Sequence, residues 1–159
     1  MRYYRRFLES IRDEKTLKKC FMFYTKKIRN ILWDMYENAD CDYQGVFDAT
    51  YGGCFEPWEY EPGEEVNEKE PDIDMCYDMY LDLIERRDYD NVRIIYYGRG
   101  ITKSLEDIVE NCSCIKNIIY NPSGVQFSIP LVPSEDQMEE ILVLFRKLRT
   151  YFKSRSRSR

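Results

Sequence analysis

The sequence predicts an α+β domain, a small mixed β-sheet with an amphipathic N-terminal helix and a C-terminal helix packed on it. Three observations predict this class. Apolar residues recur at three- and four-residue steps near both ends of the chain, and β-branched and aromatic runs bounded by turn residues lie between them. At 159 residues the chain has room for one core. The expected layout is a single domain over residues 1–152 with an acidic loop over 61–71, followed by a disordered Arg/Ser tail over 153–159.

The elements follow in order. Tyr3 to Ile11 reads as a short helix, and Asp13 is placed to cap a longer one over Lys15–Asn38. In that helix Leu17, Cys20, Phe21, Tyr24, Ile28, Ile31, Leu32 and Met35 form the apolar stripe, and the opposite face is cationic and partly aromatic. The helical period stops between Tyr43 and Tyr60, where Gly52-Gly53 between β-prone runs suggests a hairpin in which Pro57 would sit at an edge or which it would end. Asp72 or Asp74 can cap a helix running to about Arg87, with Cys76, Met79, Tyr80, Leu83 and Ile84 inward. Val92 to Tyr97 reads as a strand broken by Gly98-Arg99-Gly100, and Ser104 offers a cap for a helix through Asn111. Ile115–Tyr120 and Val125–Val132 flank the turn Asn121-Pro122-Ser123-Gly124 as a second hairpin. Ser134 and Gln137 then make a capping box that opens the last helix, whose stripe is Met138, Ile141, Leu142, Phe145, Leu148 and Phe152.

Charge is strongly segregated beneath a net value of −5. Residues 1–30 carry ten Lys/Arg against three Asp/Glu, a net +7; residues 56–90 carry three against fourteen, a net −11. Residues 146–159 add seven Lys/Arg and no acid. Such asymmetry points to two surfaces for partners of opposite sign, or to a match of the surfaces with each other.

The chain has no histidine, which removes Ser-His-Asp and Cys-His nucleophile activation and imidazole-built metal sites. Six cysteines without a secretory signal are expected as reduced thiols in a cytoplasmic setting, or a nuclear one. Cys112-Ser113-Cys114 is too closely spaced for a zinc knuckle or a two-residue-separated redox pair, and reads as two buried thiols at a helix end. The segment Gly98 to Ser104 has glycines, cations and a hydroxyl at a strand-to-helix junction, but Thr102 stands where a phosphate loop needs glycine. Asp74, Asp78, Asp82 and Glu85 align on one helix face, and Asp40, Asp42 and Asp48 match no calcium loop. No cofactor and no metal are therefore expected, nor is a catalytic residue identified.

The leading expectation is a non-enzymatic protein-interaction module, an inhibitor, immunity protein or accessory regulator, that docks a basic partner surface through its acidic central segment. Its candidate contact residues are Trp58, Tyr60, Glu64, Glu65, Asp74, Tyr77, Asp78 and Asp82, with Tyr3 and Tyr4 as further aromatic candidates. The alternative is a nucleic-acid-binding accessory protein that uses Lys15, Lys18, Lys19, Lys26, Arg29 and Trp33 of the first long helix with Arg155, Arg157 and Arg159 of the tail. Over Lys153 to Arg159 the tail resembles the arginine-serine segments of RNA-processing proteins, which implies phosphate pairing that serine phosphorylation would cancel. A homo-oligomer is a further expectation, and a membrane partner is not expected.

Overall fold

The computed structural model describes residues 13–37, 43–48, 73–96, 103–121 and 124–157. Helix α1 spans Glu14–Met22 and passes through a π-helical stretch, Phe23–Ile28, into α2, Arg29–Glu37. Strand β1 (Tyr43–Asp48), helix α3 (Ile73–Arg86), strand β2 (Tyr89–Tyr96) and helix α4 (Lys103–Glu110) follow. The chain then forms β3 (Lys116–Asn121), β4 (Gly124–Pro130) and the long helix α5 (Glu135–Arg157). The class is α+β, as the sequence predicts. The four strands lie in the order β1-β2-β4-β3, and each of the three pairs is antiparallel, so the expected mixture of strand directions is absent among the described residues. The β3–β4 hairpin explains part of this, because a short turn can only join antiparallel neighbours.

Local chemistry places the helix starts. The Asp13 carboxylate accepts the Lys15 amide at 3.3 Å, capping α1 as expected. At α5 the box is reciprocal: the Gln137 amide donates to Ser134 Oγ at 3.2 Å, and the Ser134 amide donates to Gln137 Oε1 at 2.9 Å. Helix α4 begins at Lys103, so Ser104 lies inside its first turn and not at the cap the sequence suggested. Helical backbone also continues through 153–157, where a disordered tail was expected. Lys and Arg are good helix formers, and cations are favoured at a helix C-terminus by the macrodipole.

The π-helical stretch was not foreseen. Phe23, Tyr24 and Thr25 are all buried, which a regular α-helical stripe does not achieve for three successive residues. Thr25 Oγ1 donates back to the Phe21 carbonyl at 2.8 Å, a bond that bends a helix locally.

One face of the sheet carries the core. Val92 pairs with Phe127 and Ile94 with Val125, and all four side chains are fully buried. Helix α5 lays Phe145 edge-on against Phe127, ring centroids 6.1 Å apart, with Ile141, Leu144, Leu148 and Phe152 along the same buried stripe. Leu144 takes a core place that the periodicity assigns to Leu142; Leu142 and Met138 are half-buried. Three donors reach the end of β4 and the segment after it: Tyr24 OH bonds the Pro130 carbonyl, Tyr80 OH the Leu131 carbonyl, and Cys20 Sγ the Pro133 carbonyl at 3.4 Å. Helices α1 and α3 are thereby tied to the end of β4 by buried bonds. Buried Asp90 is compensated by Arg87 at 3.6 Å and by the Asn91 amide at 2.9 Å.

The opposite sheet face is polar. Asn117 Nδ2 donates to Ser128 Oγ at 3.4 Å, and Ser128 Oγ donates to Asn91 Oδ1 at 3.0 Å, crossing β3, β4 and β2. Asn117 has φ 55° at the irregularity between Lys116 and Ile119, a left-handed conformation that asparagine tolerates.

Candidate functional site

Helix α3 and the residues up to Asp90 are the described part of the acidic segment. The buried side of α3 holds Cys76, Tyr80, Leu83 and Ile84, and the four-residue spacing puts Asp74, Asp78 and Asp82 in a row on another side. Asp78 is exposed and Asp82 half-buried. Glu85 shares that side and is half-buried, with its Oε1 enclosed. Tyr77 does not stand free on this surface: its half-buried ring meets Phe21 at 5.3 Å edge-on and Tyr80 at 6.4 Å. Trp58, Tyr60, Glu64 and Glu65 lie outside the described residues, as do Tyr3 and Tyr4.

The cationic helix is partly engaged inside the molecule. Lys18 pairs with Glu14 at 3.2 Å and sits 5.7 Å over the Tyr77 ring, so the basic helix touches the edge of the acidic one. Lys19 pairs with Glu135 of α5, which draws the Glu135 carboxyl below its ordinary range through that hydrogen bond. Lys15 and Lys26 are exposed and Arg29 is half-buried. Trp33 lies on α2, and Arg155 and Arg157 lie on the last turns of α5 by their backbone; Arg159 is outside the described residues.

The sequence missed a groove of about 510 Å³ between this helix and α5. Met22, Met138 and Leu142 give it an apolar strip; Lys19, Lys26 and Lys27 line one wall, and Glu135 and Glu139 the other. The signal was present in part, because Met22 falls on the cationic face of the helix, where an apolar side chain is unneeded by the core.

Cys112 and Cys114 are buried just beyond α4, their sulfur atoms 3.6 Å apart, and the four described cysteines are all free thiols. Burial pushes both thiols up, Cys114 to about 12, which makes them poor nucleophiles. Glu140 of α5 holds the intervening Ser113 through its amide at 3.1 Å and its hydroxyl at 2.8 Å. At the expected glycine turn only Lys103 and Ser104 are described, and Lys103 pairs with Asp107 at 3.2 Å. Among the described residues no three Cys, Asp or Glu side chains gather as a metal ion would require, and no helix is long and apolar enough to cross a membrane. Set against family models, curated proteins and solved structures, the chain matches none.

Proposed function

We propose that the chain is a non-enzymatic protein-interaction module, of the inhibitor, immunity or accessory-regulator kind, that docks a basic surface of a partner protein through its acidic central segment. The observation that supports this reading best is the row Asp74, Asp78 and Asp82 along α3, opposite a side chain stripe committed to the core. That row continues the net −11 of residues 56–90 onto a rigid helix, where like charges focus attraction for a cationic surface and speed encounter. The nucleic-acid reading ranks second because the chain as a whole is acidic, with a net charge of −5. A reducing cytoplasmic or nuclear setting accords with the free thiols.

The test is affinity capture of the partner at low and moderate salt, with and without nuclease, using the intact chain and the variant Glu64→Lys, Glu65→Lys, Asp78→Lys, Asp82→Lys. The expected result is a nuclease-resistant protein partner bound by the intact chain and lost with the charge-reversed one. Capture that survives the reversal, or that disappears with nuclease, overturns the reading.

A further inference from the structure

The groove between α5 and the helix formed by α1 and its π-helical continuation, the α1–α5 groove, has walls of opposite sign. Lys26 and Lys27 are exposed on one wall, Glu139 is exposed on the other, and none of the three has an ion-pair partner among the described residues. Lys19 and Glu135 show that the two walls attract where side chains can reach across. Between them runs the apolar strip of Met22, Met138 and Leu142. On its far side α5 borders a second hollow of about 250 Å³ shared with α4, and Glu139 lines both. The first half of α5 is therefore a ridge with a groove on either side. Among the described residues the large exposed apolar side chains are Met22, Ile119 and Val143, and two of these three, Met22 at 39% and Val143 at 42%, lie on this face.

We infer that this face binds a second copy of the chain, forming a two-fold dimer in which the α5 ridge of each copy enters the α1–α5 groove of the other. A rim of one sign would fit a partner of the opposite sign. A rim basic on one side and acidic on the other fits itself: a two-fold axis lying in the interface parallel to α5, between its ridge and the groove, seats Glu139 of each copy in the groove beside Lys26 and Lys27 of its mate. The same rotation lays the apolar strip of each copy against the α5 ridge of its mate, beside the exposed Val143, and a helical ridge in a helical groove is the usual way such surfaces pack. Met side chains adapt to that contact because they are unbranched and polarizable. This surface is built from elements other than the acidic row of α3, so it goes beyond the partner-docking function proposed above.

The experiment is sedimentation velocity of the full chain over a range of concentrations, with the variants Val143→Glu, Lys26→Glu/Lys27→Glu and Glu139→Lys, and Ile119→Glu on the polar sheet face as control. The wild type and the control should dimerise to twice 19.3 kDa. Each of the other variants should weaken dimerisation by about tenfold or more through like charges or a buried acid. An equimolar mixture of Lys26→Glu/Lys27→Glu with Glu139→Lys should recover a heterodimer, since every facing pair is then opposite in sign; recovery also shows that both variants are folded. A wild type that stays monomeric, a dimer insensitive to Val143→Glu and the reversals, or a mixture that stays monomeric while both variants keep the wild-type unfolding curve overturns the inference.

Discussion

Replacing Tyr24 by Phe removes one oxygen from the centre of the molecule and leaves the packing in place. The Tyr24 side chain is fully buried, its ring lies 5.1 Å from that of Phe23, and its hydroxyl donates to the carbonyl of Pro130, 106 residues away. Phe fills the same space, so the loss is that of the hydrogen bond and of the donor to a buried carbonyl, about 1–3 kcal/mol at neutral pH. For a domain of this size each kcal/mol shifts Tm by roughly 2–4 °C. The effect has a pH signature. Burial, followed by the nearby Tyr80, Cys20, Cys114 and Asp90, raises the Tyr24 pKa well above its ordinary value. Above about pH 10 the unfolded tyrosine releases its proton while the folded one keeps it, so the folded state binds more protons and stability falls as pH rises. That fall reaches ~1.4 kcal/mol per pH unit for one such group. Tyr24→Phe has no proton there, so its stability should trail the wild type at pH 7 and converge on it above pH 10. The alkaline contributions of Cys112, Cys114 and Tyr120 are common to both proteins and cancel in the difference. Urea unfolding followed by far-UV circular dichroism at pH 7, 10 and 11 measures this. A variant within about 0.5 kcal/mol of wild type at pH 7, or one with an identical alkaline slope, refutes the account of the buried hydroxyl.

Three further outcomes follow from the same geometry. Ser134→Ala breaks the reciprocal cap of α5 and should cost about 1 kcal/mol in urea unfolding, because the Gln137 amide loses its acceptor; an unchanged midpoint would show that the box contributes nothing. Phe127→Ala opens a cavity under Phe145 and should cost about 3–5 kcal/mol, whereas Ile119→Ala, half exposed on the polar face, should stay within about 0.5 kcal/mol; equal losses would mean that the sheet faces are misassigned. Cys112 and Cys114, buried with raised pKa values, should react with iodoacetamide at pH 8 at least about tenfold more slowly in the folded chain than in urea. Mass spectrometry of the labelled peptides reads this, and rapid labelling of the folded chain contradicts it.

The interactions that act over a few residues were legible in the amino-acid string. Asp13 and Ser134-Gln137 announce helix starts because a cap needs a side-chain acceptor within three residues of the amide it serves. The stripes Leu17 to Met35 and Ile141 to Phe152 announce helices because their period matches the helical turn, and the residues around Asn121 and Gly124 announce a hairpin. Periodicity says which side of a helix is apolar, but not whether anything covers it. Met138 and Leu142 therefore read as core and proved to line a groove, while Leu144 went inside. The π-helical stretch at Phe23–Ile28 was equally hidden, since it exists to bury three successive side chains that only tertiary neighbours can enclose. Strand order and the Tyr24 and Tyr80 bonds to the end of β4 join residues far apart in sequence, and no local pattern encodes them. The sequence by itself determined the α+β class, the helix starts and the segregation of charge. Tertiary structure decided which charges are already partnered and which stand along an open groove, because that depends on distances that close only when the helices pack.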